Sequence, residues 1–378
     1  MSDSDHGRGH NDRMVAELVR NGAIADARIE HAFRRVLRHW FLPDDDWDDV
    51  YRDVAVVTHR GPDGVPVSSS SQPSIMARML RQLDVRPGHR VLEIGTGTGY
   101  NAALLAQLVG ADGQVTTVEV DPEICAAAEG HLAHARARNV SVLVGDGWAG
   151  TSGAAVFDRI EATVGVWDLP TAWVAQLEAG GIIVAPLWLR AGLQASVALK
   201  KLDGRLQTVS IEPCGFMRLR GPGAGQPAYQ QMSGWTVSFD EASPARTAVL
   251  QRLLETQPHT EHAPALPPGW FTPIALRQPD AIHMFSLRPE GPVVRCGLLD
   301  VSPPGLAVVE SGAEAIDTIE TSGDEKARDR LLQLIDATTP IELSRLSITA
   351  VPRGDRSDDS GALTTLDRPN FSFVIGSS

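Results

Sequence analysis

Long apolar stretches and paired cysteines are both missing from this sequence. No run of about 18 apolar residues occurs in its 378 residues, which excludes a helix that spans a membrane. Residues 1–13 contain no apolar core of a signal peptide, so we expect a disordered tail there. The three cysteines are widely separated and form no CxxC pair, which gives no support to a disulfide framework and fits a reducing, cytoplasmic environment.

Positive charge and clustered histidines are also scarce. The sequence has 34 Lys and Arg residues against 47 Asp and Glu residues, so its formal net charge is −13. Because such a surface repels a phosphate backbone, nucleic acid is not expected as a partner. The 11 histidines are dispersed without the HExxH spacing, and no metal site is predicted. The length exceeds the roughly 250–300 residues at which single cores stop growing, which predicts two domains.

Strand-like and helix-like segments alternate in the middle of the chain. The predicted strands are 90–94, 114–120, 140–144, 157–162 and 182–185. The predicted helices between them are 101–109, 122–136 and a segment around 170–177. Such alternation indicates βαβ crossovers and a parallel sheet with helices on both faces, the Rossmann-like α/β class.

The outer parts of the chain have a different texture. Two helices are predicted between residues 14 and 40, and a third at 75–83. After about residue 201 Pro and Gly become dense, and two predicted helices, 244–254 and 324–335, lie among short strands. We therefore predict three parts, which are a disordered tail over 1–13, an α/β domain over 14–204 and an α+β domain over 205–378.

A glycine-rich loop follows the first strand of the α/β domain. Its glycines permit a tight turn and let a ligand approach bare backbone. Glu119, at the end of the second strand, can accept hydrogen bonds from both ribose hydroxyls, and Asp146, at the end of the third, can accept one from an adenine amino group. The predicted cofactor-binding residues are Glu93, Gly95, Thr96, Gly97, Gly99, Tyr100, Glu119, Val120, Asp146 and Gly147.

Two other classes of enzyme compete with S-adenosylmethionine-dependent methyl transfer. A glycine loop with an acid about 20 residues later also marks dinucleotide-binding folds. Here the glycines alternate, Tyr100 occupies the place of the third dinucleotide glycine, and Glu93 is more typical of methyltransferases. Nucleic-acid amino-methyltransferases carry an Asn/Asp-Pro-Pro-aromatic motif after the fourth strand, where this chain has Glu-Ala-Thr-Val-Gly at 161–165. We therefore expect S-adenosyl-L-methionine as the cofactor.

Residues 13–200 resemble the protein-L-isoaspartate O-methyltransferases, which are Rossmann-like class I methyltransferases. The resemblance lies in VLEIGTGTGYNAALLAQ at 91–107, VEVDPE at 118–123, NVSVLVGDG at 139–147 and LEAGGIIVAP at 177–186. In addition, SSSQPSIMA at 69–77 resembles the Thr-Ile-Ser-Gln-Pro segment that closes over substrate and cofactor in this family. The resemblance implies that Ser71 is the active-site serine, that Ser68, Ser69 and Ser70 contact the substrate, and that an aspartyl or isoaspartyl carboxylate of a peptide or protein is esterified.

The chain also departs from this family. Ser69 and Ser70 stand where the family has Thr and Ile, and the C-terminal third is expected to have no counterpart in the housekeeping repair enzymes. Related methyltransferases with such an extension modify ribosomally made peptides by methylating one Asp, whose ester closes to an aspartimide. The segment CGFM at 214–217 resembles that subgroup.

Several alternatives remain open at this point. The substrate is either one dedicated peptide or damaged protein in general, as in isoaspartyl repair. The chain could also be a catalytically silent scaffold that binds the cofactor. The four serines at 68–71 could form a solvated linker instead of part of a site, since serine runs are usually loops.

Overall fold

A computed structural model of the protein describes residues 3–62, 64–153, 155–225, 229–239, 243–288, 291–311, 318–355 and 360–377. The chain divides into two compact units. The first comprises Met1–Leu187 and Ser196–Ala224, and the second comprises Trp188–Ala195 and Gly225–Ser378. Among the described residues, no helix has both the length and the apolar character needed to cross a membrane.

The first unit is an α/β fold. Its helices are α1 (Asp3–Arg20), α2 (Ala27–Arg35), α3 (Trp47–Val50), α4 (Pro73–Leu83), α5 (Tyr100–Val109), α6 (Pro122–His134) and α7 (Thr171–Ala175). Its strands are β1 (Val56–Arg60), β2 (Pro66–Ser70), β3 (Arg90–Ile94), β4 (Gln114–Glu119), β5 (Val140–Val144), β6 (Phe157–Ala162), β7 (Leu177–Trp188), β8 (Gln194–Leu202) and β9 (Arg205–Pro213). Strands β1 and β2 form an antiparallel pair, and the others lie side by side in the order β9-β8-β7-β6-β3-β4-β5.

Parallel pairing in this sheet brings the carboxyl ends of four strands to one edge. Strand β3 is parallel to both β4 and β6, and β4 is parallel to β5. Four of the five residues of β3 are buried, as expected for a strand covered on both faces. The α/β prediction is confirmed, and the bounds of β3, β5 and β6 are those predicted from the sequence.

The N-terminal segment differs from the prediction of a disordered tail over 1–13, because α1 already begins at Asp3. Asn11 is buried and its side-chain amide donates a hydrogen bond to the carbonyl oxygen of Phe33 at 2.9 Å. Asp12 forms an ion pair with Arg34, also at 2.9 Å. These contacts to α2 are polar, so no apolar stripe in residues 1–13 could indicate them.

The second unit is an α+β fold built on antiparallel strands. Its elements are β10 (Tyr229–Met232), β11 (Trp235–Phe239), α8 (Pro244–Leu254), β12 (His259–His262), α9 (Phe271–Arg277), β13 (Ala281–Arg288), β14 (Gly291–Val301), β15 (Pro304–Ser311), β16 (Thr318–Gly323), α10 (Lys326–Ala337), β17 (Leu346–Pro352), β18 (Thr364–Asp367) and β19 (Phe371–Ser377). One set of strands runs in the order β10-β11-β13-β14-β15-β16-β12 and another in the order β18-β19-β17. Leu250 of α8 clusters with Ile282 of β13, whereas Leu331 of α10 clusters with Ala281. Because neighbouring residues of a strand point to opposite faces, the two helices cover opposite faces of the sheet.

The change in composition near residue 201 does not coincide with the division between the units. The domain boundary predicted at 204/205 falls in the tight turn between β8 and β9, where Asp203 and Gly204 have φ angles of 49° and 78°. Both strands belong mainly to the first unit, as do the residues up to Ala224. The Pro and Gly residues that follow β9 therefore form part of the first unit.

Candidate functional site

A cavity of about 830 Å³ lies at the carboxyl ends of β3, β4 and β6 in the first unit. Three segments form much of its wall, namely the glycine loop that follows β3, the serine segment 66–72, and residues 213–220, which follow β9 and are called the arginine strap below. All three come from the part of the chain before residue 225, so the cavity belongs to one unit. The sequence predicted the first two segments as parts of the site. It singled out residues 214–217 of the strap only for their resemblance to the peptide-modifying subgroup and did not place them in the site.

Two glycines of the loop line the cavity, and the third does not. Gly95 and Gly97 have φ angles of +96° and +52°, a region that favours glycine. A Cβ atom on Gly97 would lie 3.5 Å from the carbonyl oxygen of Ser69, so the loop and the serine segment face each other closely. A Cβ on Gly99 would instead lie 3.2 Å from the side chain of Leu132 in α6. The predicted cofactor contact of Gly99 is thus replaced by helix packing, because this residue directly precedes α5 as its N-cap.

Glu119 lies where the sequence placed it, on the cavity wall at the end of β4. Its carboxylate accepts hydrogen bonds from the backbone amides of Gly97 at 3.3 Å and Val120 at 3.0 Å. Val120, also predicted, lines the cavity beside it. The guanidinium of Arg220 in the arginine strap lies 3.2 Å from the same carboxylate. Glu119 therefore joins the glycine loop to the strap.

The two cofactor-binding residues predicted after β5, Asp146 and Gly147, have different positions in the structure. Gly147 lines the cavity, whereas Asp146 does not. The Asp146 carboxylate accepts a hydrogen bond from the backbone amide of Trp148 at 2.9 Å and so caps the short turn 147–149. A Cβ atom on Gly221, the residue that follows the strap, would lie 3.8 Å from this carboxylate, so Gly221 lies next to Asp146.

Glu93 is buried behind the cavity wall. Its side chain has no exposed surface, and it does not line the cavity, contrary to the predicted cofactor contact. Its carboxylate accepts hydrogen bonds from the Thr117 hydroxyl at 2.6 Å and the Asn101 amide at 2.8 Å. Burial raises the pKa of Glu93 to about 7. Glu93 thus holds Asn101, which does line the cavity, and contacts a ligand only through its neighbours.

Thr96 and Tyr100 both line the cavity, as predicted for this loop. The Thr96 hydroxyl lies 2.7 Å from that of Thr117. The Tyr100 ring packs against Phe33 and Phe41, with ring centroids 6.2 and 5.4 Å away. Its hydroxyl is buried and has no hydrogen-bond partner among the described residues, and burial raises its pKa.

The predicted serine segment is part of a paired strand. Ser68, Ser69 and Ser70 lie in β2 opposite residues of β1, and Ser68 and Ser70 are buried, so the solvated-linker interpretation is wrong. Ser71 follows directly and is half-buried on the cavity wall together with the other three. The Ser68 hydroxyl accepts a hydrogen bond from that of Thr58 at 3.2 Å.

Arg38 fixes the backbone of this segment, and nothing in the sequence indicated it. Its side chain is completely buried. The guanidinium donates to the carbonyl oxygens of Ser71 at 3.0 Å and Val50 at 2.8 Å, with longer contacts to Ser70 and two further carbonyls. On the other side of Ser71, Asp53 accepts hydrogen bonds from the Ser74 amide at 2.8 Å and the Gln72 side chain at 3.2 Å. The backbone on both sides of Ser71 is therefore held by buried polar contacts.

Replacing Arg38 should destabilise the protein strongly. Arg38→Met removes the donors of several buried carbonyl groups, and each such group left unpaired costs about 1–3 kcal/mol. We expect the free energy of unfolding to fall by about 3 kcal/mol, measured by urea denaturation. The matched control is Arg34→Met, which breaks the partly exposed ion pairs with Glu30 and Asp12 and should cost about 1 kcal/mol. Equal stabilities of the two variants would contradict the assigned role.

Comparisons with known proteins agree with this geometry. Residues 9–222 match the family model of protein-L-isoaspartate(D-aspartate) O-methyltransferase, a range that includes the serine segment, the glycine loop and the arginine strap. The chain is 38% identical to the protein-L-isoaspartate O-methyltransferase of Methanopyrus kandleri over 211 residues, which are 56% of this chain and 91% of the relative. It is also 38% identical to that of Koribacter versatilis over 217 residues, which are 57% of this chain and 93% of the relative.

Two solved structures share the fold. A protein-L-isoaspartate O-methyltransferase, 23% identical, matches with a TM-score of 0.56 over 97% of this chain and 99% of its own. The expectation that the C-terminal third has no counterpart in enzymes of this name is therefore wrong at the level of the fold. A Plasmodium falciparum protein of the same family, in complex with S-adenosyl-L-homocysteine and 18% identical, matches with a TM-score of 0.50 over 56% of this chain and 98% of its own.

The family match settles the class of the enzyme and its cofactor. The chain has a class I methyltransferase fold and uses S-adenosyl-L-methionine. Among the described residues, no group of three or more His, Cys, Asp or Glu side chains is arranged to hold a metal ion. The family model spans more than half of the chain, so the chain belongs to the protein-L-isoaspartate(D-aspartate) O-methyltransferase family.

Proposed function

We propose that this methyltransferase esterifies an aspartyl or isoaspartyl carboxylate in one dedicated, ribosomally made peptide, and that the ester then collapses to a succinimide. The observation that carries the reaction type is the meeting of the serine segment and the glycine loop in one cavity. The Cβ position of Gly97 lies 3.5 Å from the Ser69 carbonyl oxygen, and Ser71 follows two residues later. A substrate held by Ser71 therefore lies beside the loop proposed to hold the cofactor.

The residues on the cavity wall fit the cofactor. Glu119 offers an almost buried carboxylate at the end of β4, which suits the two hydroxyls of a ribose. Gly97 presents bare backbone, because the only described atoms within 4 Å of its Cβ position belong to the serine segment. When bound, S-adenosyl-L-methionine supplies an electrophilic methyl group on a positively charged sulfur.

The chain's own contribution is to position the substrate and to exclude water. A carboxylate is already ionised at neutral pH, so its attack needs no general base. The Ser71 hydroxyl can donate a hydrogen bond to one carboxylate oxygen and leave the other free to attack in line. Ser71 is half-buried on the cavity wall, so a peptide bound there covers its remaining exposed surface and excludes competing water. In the ester, a neighbouring backbone nitrogen attacks the carbonyl carbon and displaces methanol, which closes the succinimide ring.

Glu119→Ala tests the ribose assignment. Removing a buried hydrogen-bonding partner costs about 1–3 kcal/mol, so the dissociation constant for S-adenosyl-L-methionine should rise by about 5- to 150-fold in calorimetry. Glu123→Ala is the matched control, since Glu123 is an exposed residue in the first turn of α6 and does not line the cavity. Unchanged affinity in Glu119→Ala would refute the assignment.

The same measurement on Asp146→Ala tests the adenine contact, and unchanged affinity there would leave Asp146 only its capping role.

The dedicated peptide is supported by the substrate side of the cavity. Ser69 and Ser70 replace the residues found in the repair enzymes. Cys214, Phe216 and Met217 of the arginine strap add an apolar surface to the same cavity. Ser69 and Ser70 directly precede Ser71, so this difference alters the groups next to the proposed position of the peptide carboxylate, while the proposed cofactor side keeps the features of the family.

General repair of isoaspartyl residues is the second candidate. It is favoured by the solved protein-L-isoaspartate O-methyltransferase that matches nearly the whole chain, including its C-terminal part. Mass spectrometry of full-length protein with two substrate sets separates the candidates. The dedicated-peptide proposal predicts little turnover of assorted short isoaspartyl peptides. It also predicts that a peptide encoded beside this gene gains one methyl and then loses methanol. Robust turnover of the assorted peptides would restore the repair function, and cofactor binding without turnover of either set would indicate a silent scaffold.

A further inference from the structure

Two fully buried carboxylates lie side by side beneath the cavity. Glu93 on β3 and Glu161 on β6 are direct neighbours in the register of these parallel strands, and Thr117 on β4 is the neighbour of Glu93 on the other side. Glu93 is 0% and Glu161 1% exposed. Neither forms an ion pair with any described residue, although burial of an unpaired charge is costly. Unlike Glu93, Glu161 lines the cavity.

Hydrogen bonds tie these groups into a chain with a defined direction. The Thr117 hydroxyl donates its hydrogen bond to Glu93 at 2.6 Å. In the 2.7 Å contact between the hydroxyls of Thr96 and Thr117, Thr96 is therefore the donor, because the single hydrogen of Thr117 is already used. The Asn101 side-chain nitrogen lies 2.8 Å from Glu93 and 2.8 Å from Glu161, and both of its hydrogens are used. From the described residues Glu93 therefore accepts two side-chain hydrogen bonds and Glu161 one, which makes Glu93 the better-stabilised anion.

The pair holds a proton near neutral pH. Two adjacent buried carboxyl groups disfavour simultaneous ionisation. Burial is the largest cause that raises the pKa of Glu93 to about 7 and that of Glu161 to about 8. A neighbouring carboxylate adds to each rise in pKa, Glu119 for Glu93 and Glu93 for Glu161. Glu161, with one donor, is the protonated member. The other charged or titratable groups on the cavity wall are Asp53, Arg78, Tyr100, Glu119, Cys214, Arg218 and Arg220.

The strand order places Glu161 beyond the glycine loop. Along the edge, β5 carries Gly147, β4 carries Glu119, β3 carries the glycine loop and β6 carries Glu161. Neighbouring strands are about 4.8 Å apart, so Glu161 lies two strands, or about 10 Å, from Glu119. A cofactor with its ribose at Glu119 extends across the glycine loop toward β6. Its positively charged sulfur joins the ribose to the amino-acid part, so it lies over β3, one strand away from Glu161.

We propose that Glu161 is a specificity-determining residue that recognises the positive charge of the cofactor, and that the Glu93–Glu161 pair releases its shared proton when that charge binds. The proton goes to solvent on binding, and the pair takes one back once methyl transfer has left a neutral thioether. The pair thereby favours S-adenosyl-L-methionine over S-adenosyl-L-homocysteine, and more strongly as the pH rises. This inference rests on the proposed cofactor site.

Calorimetry of the full-length protein tests the proposal. Titrations with S-adenosyl-L-methionine and S-adenosyl-L-homocysteine at pH 7, in buffers of different ionisation enthalpy, give the number of protons released with each ligand. We expect up to one more proton released with the charged ligand. Both ligands carry the same amino group, so a proton that this group releases on binding largely cancels when the two proton counts are subtracted. Between pH 6 and pH 8 the preference for the charged ligand should rise by up to about tenfold per pH unit.

Glu161→Gln is the matched variant, because its amide oxygen can still accept from Asn101 while its side chain cannot ionise. We expect it to bind the neutral ligand with near wild-type affinity, which also shows that it is folded. It should bind the charged ligand about tenfold more weakly and show no difference in proton release. Equal proton release with both ligands in the wild type, or a difference that survives in Glu161→Gln, would overturn the inference. Failure of both ligands to bind the wild type would instead overturn the proposed cofactor site, and this inference with it.

Discussion

Gly97→Val is expected to abolish binding of S-adenosyl-L-methionine while the fold persists. The Cβ position of Gly97 is already 3.5 Å from the Ser69 carbonyl oxygen, so the branched side chain would occupy the narrow space between the glycine loop and the serine segment. A ligand that needs bare backbone there loses its contact. We expect the affinity measured by calorimetry to fall by at least about 100-fold, because added atoms in a close-fitting site must displace the ligand.

The matched control for this variant is Gly204→Val. Gly204 has a φ angle of +78°, and its Cβ position has no neighbour within 4 Å, in the turn between β8 and β9. A valine there carries a comparable backbone strain, about 1–2 kcal/mol or more, far from the cavity. It should lower the melting temperature and leave the affinity unchanged. If Gly97→Val bound the cofactor as the wild type does, the glycine loop would not be the cofactor site.

Strand β3 was predictable because four of its five residues are buried and three of those four are apolar. Strand β5 was predictable because it is rich in valine, although none of its residues is buried. The long strands β13 to β16 of the second unit were not predicted as such. Charged residues lie within them, for example Arg295, which bridges Glu310 and Glu320 at 2.7 Å each. In addition, Pro304 and Gly305 begin β15, although such residues usually indicate a turn.

The predicted site was incomplete because its remaining contacts join distant parts of the chain. Arg38 is 33 residues from Ser71, and Arg220 is 101 residues from Glu119. Spacing within a motif cannot reveal such pairs, since only the folded sheet and strap bring them together. Glu161 did not stand out in the sequence either, because β6 also contains Asp158 and Arg159. The sequence was used there only to exclude a nucleic-acid motif.

The arginine strap gives the proposed cofactor site a second function. Arg220 donates to Glu119 and lies 3.8 Å from Asp121, so the carboxylate proposed to hold the ribose is also the anchor of the strap. The same strap carries Phe216 and Met217 to the cavity. The Glu119 carboxylate is therefore both the proposed ribose ligand and the ion-pair partner of the strap that carries this apolar surface.

Ser71→Ala is expected to lower turnover by about 100-fold and to leave the affinity for S-adenosyl-L-methionine unchanged. The backbone around Ser71 is held by Arg38 and Asp53 through contacts that do not involve its hydroxyl, so the alanine variant should keep the same chain path. What it loses is one hydrogen-bond donor to the reacting carboxylate, and loss of a well-placed donor costs about 10²–10³ in rate.

The measurement combines methyl transfer to the peptide with cofactor titration, and Ser141→Ala is the matched control. Ser141 is an exposed residue in the middle of β5, so its hydroxyl can be removed without effect on either quantity. An equal loss of turnover and cofactor affinity in Ser71→Ala would mean that the serine segment is a structural cover for the cofactor. Unchanged turnover would remove Ser71 from the reaction. The carboxylate would then have to be positioned by other groups of the cavity, of which the arginines of the strap, Arg218 and Arg220, carry the charge best suited to it.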